Sequence, residues 1–246
     1  MSEPVVGALL GAGKDAEVFV CGTMVIKLYK PTAPKHSPFR EAAILAMVKP
    51  LGLSAPIVHS VQQVGDRWGV LMSRVEGPTF AATLTQQARA TPALLNRMAQ
   101  LQLQVHSRPA TQFASLNAKL AANIQRASLL GESRRAMLLA GLAKMPDGAC
   151  LCHGDCHPYN IMGPVVREVL IDWLVASRGE PAADVCRSYV LLRHAAPEMA
   201  SAYVNAYSHA SGISRAAILN WLPFVAAARL AEGVPEVDDL MKMVDE

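Results

Sequence analysis

Apolar positions along the chain change their spacing twice. Between Val5 and Lys30 they come in short runs separated by glycine, the pattern of a small antiparallel sheet. Gly11-Ala12-Gly13-Lys14 reads as a turn, Ala16 to Val20 as a strand, Cys21-Gly22 as a turn, and Met24 to Tyr29 as a strand. After the proline-punctuated stretch from Pro31 to Pro38, Phe39 to Val48 is predicted as a helix, with Ser37 as its N-cap beside Pro38. Leu53 to Val58 and Gln62 to Val64 lead to a turn at Gly65-Asp66. Trp68 to Val75 is then a strand, closed by Glu76-Gly77-Pro78.

Beyond Pro78 the period becomes helical. Leu94, Met98, Leu101 and Val105 share one face of a helix that ends at His106. Asn117 to Leu130 and Ser133 to Lys144 follow as helices, with Pro146-Asp147-Gly148 as a turn. Strand-like runs then return at Ala149 to Cys152, Ile161-Met162 and Glu168 to Ile171. Arg178 to Pro181 reads as a short loop. The remainder is helical: Ala182 to Leu192, Ser201 to Ala210, Ser214 to Arg229 and Val237 to Val244.

The chemistry concentrates in the second strand-like region, from Cys150 to Trp173. Asp155 and Asn160 fall on one loop, and Asp172 follows the next strand. Phosphoryl transfer needs a carboxylate to take a proton from the attacking hydroxyl, and oxygen ligands for magnesium. Asp155 suits the first role, and Asn160 and Asp172 the second. His153 and His157 are expected to organise the loop. Lys27 is set in an apolar strand, where a lone lysine is costly unless paired.

The order Asp, Asn, then Asp after a hairpin is that of a kinase catalytic and metal-binding loop. His153-Gly154-Asp155-Cys156-His157-Pro158-Tyr159-Asn160 with Ile171-Asp172-Trp173 resembles the signature of the aminoglycoside phosphotransferase and choline kinase-like superfamily. Cys156 and Tyr159 are not the commonest choices there, but both lie between the functional positions. The resemblance covers nearly the whole chain. It implies an α+β, two-lobed protein-kinase-like fold, with a small antiparallel-sheet N-lobe (1–77, hinge at about 72–77) and a mainly helical C-lobe (78–246).

It also implies ATP and Mg2+ as cofactors and direct transfer of the γ-phosphate to a hydroxyl of a small molecule, either aminoglycoside-like or an amino-alcohol or sugar metabolite. Lys27 would contact the phosphates and pair with Glu41. Met72 would abut the adenine, and backbone groups of Ser73 and Val75 would bond its edge. Asp184 would be a structural acid ordering the loop near Asp172, and Arg187 would pair with it or with another buried acid. Only a short segment separates Asp172 from Asp184, and Asp-Trp stands where protein kinases carry Asp-Phe-Gly. Both features argue against a phosphorylation-switched protein kinase.

Composition narrows the picture in three ways. A net charge of +3 is too weak to argue for a nucleic-acid partner. No apolar run reaches membrane-spanning length, and the start lacks the basic and apolar segments of a signal peptide. Five cysteines, three of them inside the central motif, fit reduced thiols in a cytoplasmic protein better than a disulfide framework; the expected assembly, a monomer or homodimer, does not rest on them. Cys150, Cys152, His153, Cys156 and His157 raise a metal-thiolate alternative, but no second ligand pair accompanies them in the sequence. The other alternative is a non-catalytic nucleotide-binding kinase-like module. Near the C-terminus Glu232, Glu236, Asp238, Asp239, Asp245 and Glu246 form an acidic stretch, which would suit a polycationic acceptor or be merely solvated.

Overall fold

The computed structural model describes residues 5–164 and 167–246. In chain order the elements are β1 (Leu9–Ala12), β2 (Ala16–Cys21), β3 (Met24–Tyr29), α1 (Ser37–Val48), β4 (Val58–Val64) and β5 (Arg67–Ser73). Helices α2 (Phe80–Gln86), α3 (Thr91–His106), α4 (Leu116–Arg126) and α5 (Glu132–Leu142) come next. They are followed by β6 (Cys150–Cys152), β7 (Ile161–Met162), β8 (Val169–Leu170) and β9 (Ser177–Gly179). The chain ends in α6 (Pro181–Ala195), α7 (Pro197–Ser211), α8 (Arg215–Leu219), α9 (Leu222–Arg229) and α10 (Val237–Asp245). It divides into two units. One runs to Thr79 and takes in Ile161–Leu174; the other comprises Phe80–Asn160 and Val175–Glu246.

The first unit is built on a five-stranded antiparallel sheet in the order β1-β2-β3-β5-β4. Side chains alternate faces along a strand, and β3 shows the consequence. Val25 and Tyr29 pack with Ala16, Val70 and Met72 on one face, where Ala42 of α1 covers them. Ile26 and Leu28 pack with Cys21, Phe19 and Leu71 on the other. Lys27 therefore shares the face of Val25 and Tyr29. Two local expectations are corrected. Gly11 and Ala12 are not a turn: they pair with Val18 and Glu17 as part of β1, and the chain reverses at 13–15, where Gly13 N–H donates to Ala16 O. Ser37 is not the N-cap of α1. His36 occupies that place, and Ser37 and Pro38 begin the helix, the missing N–H of proline costing nothing in a first turn.

In the second unit α3 buries Leu94, Met98, Leu101 and Val105 as their spacing predicts, and Gln102 and His106 with them. The expected loop at Arg178–Pro181 begins instead in a strand: β9 pairs with β6, Leu151 opposite Arg178. Nothing in Ser-Arg-Gly signals a strand, because this pairing is a backbone event. The single helix expected over 214–229 is two, α8 and α9, since Pro223 has no N–H to continue the ladder and serves as an opening residue of α9. All five cysteines are free. Among the described residues, no helix is long and apolar enough to cross a membrane.

Candidate active site

The candidate residues fall into two groups, one in each unit. In the first unit β3 presents Lys27 to α1, and the chain after β8 brings Asp172. Lys27 Nζ donates to Glu41 Oε1 at 2.8 Å and to Asp172 Oδ1 at 2.9 Å. Burial pushes the lysine toward neutrality, but Glu41 and Asp172 outweigh it and hold its pKa above the ordinary value. Tyr29, two residues along on the same face, donates its hydroxyl to Glu41 Oε2. Burial and then the Glu41 charge push that phenol upward. Glu41 thus has both oxygens fixed, whereas the Asp172 side chain remains 42 % exposed. Asp172 has φ 61°, a left-handed conformation that aspartate tolerates better than most residues. Next to it Trp173 is buried and donates Nε1–H to Leu170 O at 2.7 Å.

Met72, Ser73 and Val75 lie at the end of β5 and just beyond it. Met72 is a core residue of the sheet face that carries Lys27. The N–H of Ser73 is committed to Ile57 O at 2.9 Å, and its hydroxyl accepts from Ile57 N–H at 2.8 Å.

In the second unit β6 runs into the loop 153–160. His153 is buried, and its Nδ1 accepts from Asp155 N–H at 3.2 Å. Gly154 has φ +84°, and a Cβ there would stand 2.9 Å from Val175 O, which accounts for glycine between His153 and Asp155. Asp184, on the first turn of α6, accepts from the N–H groups of His153 (3.1 Å) and Gly154 (2.7 Å). It also takes Gln102 Nε2 at 2.8 Å and lies 2.9 Å from His106 Nε2, whose Nδ1 meets the Tyr207 hydroxyl at 2.6 Å. Burial would raise the Asp184 carboxyl; these donors, His106 foremost, hold it below the ordinary range. Asp184 is thus a structural acid, as expected, and the loop it holds is the one that carries Asp155.

Of the Cys150, Cys152, His153, Cys156 and His157 set behind the metal-thiolate alternative, only Cys152 lies in a group of candidate ligand atoms. Among the described residues, His106, Cys152 and Asp184 form the one such group with ligand atoms near one another. Asp184 already faces four nitrogen groups, and the Cys152 thiol points to Cys150 O and Glu180 O. Burial, reinforced by Asp184, pushes that thiol well above its ordinary value.

Asp155 itself is gripped from its own loop. Asn160 Nδ2 donates to Asp155 Oδ2 at 2.8 Å and to its backbone oxygen at 2.9 Å. His157 Nε2 lies 3.4 Å from the same Oδ2. Burial would raise this carboxyl, but His157, then Arg187 and His153, hold it far below the carboxylate range. Arg187 faces Asp155 and pairs with Glu232, so of the two expected alternatives, Asp184 or another acid, the second is the one formed. Tyr29, Gln102 and Tyr207 escaped the sequence reading as site residues, and Glu232 entered it only as part of the acidic stretch. Of these only Tyr29 had a local signal, its position two residues from Lys27 on one strand face.

The acidic stretch near the C-terminus is largely paired within the chain. Glu232 meets Arg187 and Arg229, Glu236 meets Arg229, Asp239 meets His194 and Lys242, Asp245 meets Arg134, and Glu246 meets Arg193.

A family model described as a phosphotransferase enzyme family matches residues 7–219. No curated protein matches the sequence. Solved structures of similar fold include the apo form of a thermostable mutant of aminoglycoside phosphotransferase APH(4)-Ia, at 15% identity and TM-score 0.68, covering 98% of this chain and 91% of that one. An aminoglycoside-3'-phosphotransferase of type VIII matches at 19% identity and TM-score 0.65, covering 94% and 92%. The ADP-bound aminoglycoside phosphotransferase APH(2'')-Ib matches at 17% identity and TM-score 0.63, covering 99% and 93%.

Proposed function

Because this chain belongs to the phosphotransferase enzyme family, we propose that it transfers the γ-phosphate of ATP to a hydroxyl of a small molecule, either aminoglycoside-like or an amino-alcohol or sugar metabolite. The observation that carries the reading is the fixing of Lys27 between Glu41 and Asp172, residues 14 and 145 positions away. A lysine held charged by two acids from distant segments is suited to phosphate oxygens, not to solvent. Titratable groups so perturbed by named partners mark functional sites. ADP in one of the structures of similar fold agrees with a nucleotide substrate.

The roles follow from chemistry. Lys27, set by Glu41, binds the nucleotide phosphates. Residues 72–77 of the N-terminal lobe (1–77) take the adenine, with Met72 against the ring. The Ser73 N–H is already used, so its carbonyl and the backbone of Val75 serve the base edge. The lobe 78–246 takes the acceptor. Asp155 orients the acceptor hydroxyl and takes its proton as oxygen attacks phosphorus and ADP departs. A loose transition state, in which that proton leaves late, asks little basicity of the carboxylate. Asn160 and Asp172 would hold magnesium. The donor set fits, since Asn160 commits its nitrogen to Asp155 and so offers the amide oxygen, and Asp172 offers a half-exposed carboxylate. Magnesium bound there would neutralise charge on the phosphates.

The test is ATP consumption with magnesium against aminoglycosides, choline and ethanolamine, hydroxy amino acids and simple sugars. Stimulation by one class is expected and identifies the acceptor. MgATP binding without stimulation by any class would favour a non-catalytic nucleotide-binding module. Absence of MgATP binding would overturn both readings.

A further inference from the structure

We propose that Arg187 is a positioning residue for the base Asp155, and that Glu232 holds it at the distance this task requires. The inference rests on the reading of Asp155 as base and goes beyond it. Asp155 Oδ2 is taken up within its own loop, by Asn160 at 2.8 Å and His157 at 3.4 Å. Oδ1 faces a group from elsewhere in the unit, Arg187 Nη2 at 4.0 Å. Arg187 comes from α6, three residues after Asp184, a spacing that sets both on one side of the helix. α6 therefore addresses the loop twice. Asp184 fixes the backbone amides of His153 and Gly154, and Arg187 stands against the carboxylate of the next residue.

The distance is informative. A guanidinium free to choose would close on a carboxylate as a bidentate fork. Here the same Nη2 is drawn to Glu232 Oε2 at 2.8 Å. Glu232 is fixed in turn by Arg229 Nη1 at 2.9 Å, and Arg229 Nε donates to Glu236 Oε1 at 2.7 Å. A row of alternating charge thus runs from the turn after α9 to the catalytic loop. Held back in this way, Arg187 supplies positive charge that orients Asp155 without occupying Oδ1, the oxygen left to accept the hydroxyl proton. Losing Arg187 loosens the base. Losing Glu232 releases Arg187 to close on the base and block it.

The experiment measures steady-state turnover of MgATP, with water as acceptor and with the acceptor panel. It compares the full chain with Asp155→Ala, Arg187→Met, Arg187→Lys and Glu232→Gln, together with MgATP affinity. Arg187→Met is expected to lower kcat about 10- to 100-fold while leaving KM for ATP within about twofold, as loss of positioning should. Arg187→Lys should recover part of that loss, and Glu232→Gln should lower kcat about tenfold. Removing one member of a buried pair can unfold a protein. The double variant Arg187→Met/Glu232→Gln removes both charges, and it should stay folded by thermal melting with the kcat of Arg187→Met. Wild-type kcat in Arg187→Met, with Asp155→Ala inactive, would overturn the positioning role alone. So would equal losses in kcat and MgATP affinity without rescue by lysine. Full turnover in Asp155→Ala, or none in the wild-type chain, would overturn the base assignment and the proposal with it.

Discussion

Lys27 and Asp155 are held by opposite means. Lys27 is fixed by side chains alone, with Glu41 and Asp172 reaching it from a helix and from the end of a hairpin. Asp155 is fixed mainly by its own loop and by the backbone. Asn160 bonds it twice, His153 takes its N–H, and Asp184 secures the two residues before it through their amides. The first arrangement is electrostatic and exists only once distant segments have met. The second is a hydrogen-bonded loop whose shape is written into a few adjacent residues and anchored at one buried acid. A phosphate-binding cation needs charge more than exact direction, whereas a base must be aimed. The two constructions suit the roles proposed for Lys27 and Asp155.

The contrast can be broken first at the anchor. Asp184→Ala should cost about 3–5 kcal/mol of stability, because it strands two amides, Gln102 and His106 in a buried site; thermal or denaturant unfolding measures it. The sign with pH follows from the lowered carboxyl. Its contribution is present above about pH 4, the unfolded value, and is lost as pH falls through the folded value. The acid-side fall in melting temperature should therefore be smaller in a folded Asp184→Asn variant than in the parent chain. Lys27→Met attacks the other arrangement. It should raise KM for ATP and lower kcat/KM by about 100-fold, roughly 2.7 kcal/mol, while leaving the Asp155 loop intact; steady-state kinetics decide. Tyr29→Phe sharpens the comparison with the smallest effect. It removes one hydrogen bond to Glu41 and should cost about 1 kcal/mol of stability, with kcat/KM falling only a few-fold.

Legibility in the sequence follows the same division. Asp155 and Asn160 were readable because the loop is local, and five residues carry the whole motif. Lys27 stood out because a lysine in an apolar strand demands a partner, and it was the family resemblance that named Glu41 as that partner. The Lys27–Asp172 pair was not readable, since nothing at position 172 points 145 residues back. Arg187 announced a need for an acid but not which, and Glu232 lies 45 residues on. The small antiparallel sheet was legible in its short apolar runs between glycines, but its first strand was not, because Gly11 and Ala12 look like a turn until they pair with Val18 and Glu17. β9 was not, because its pairing with β6 uses backbone groups that every sequence possesses. Pro223 did mark the break between α8 and α9, but the apolar stripe of Ile218, Leu222 and Val225 carries across it and hid the signal.

The central claim is that Asp155 is the base of a phosphotransferase. The most direct measurement is MgATP turnover by Asp155→Ala beside the parent chain, with nucleotide affinity measured on both. The account predicts turnover reduced by a factor of at least about 10³ with MgATP affinity unchanged. Turnover retained within a few-fold would contradict it.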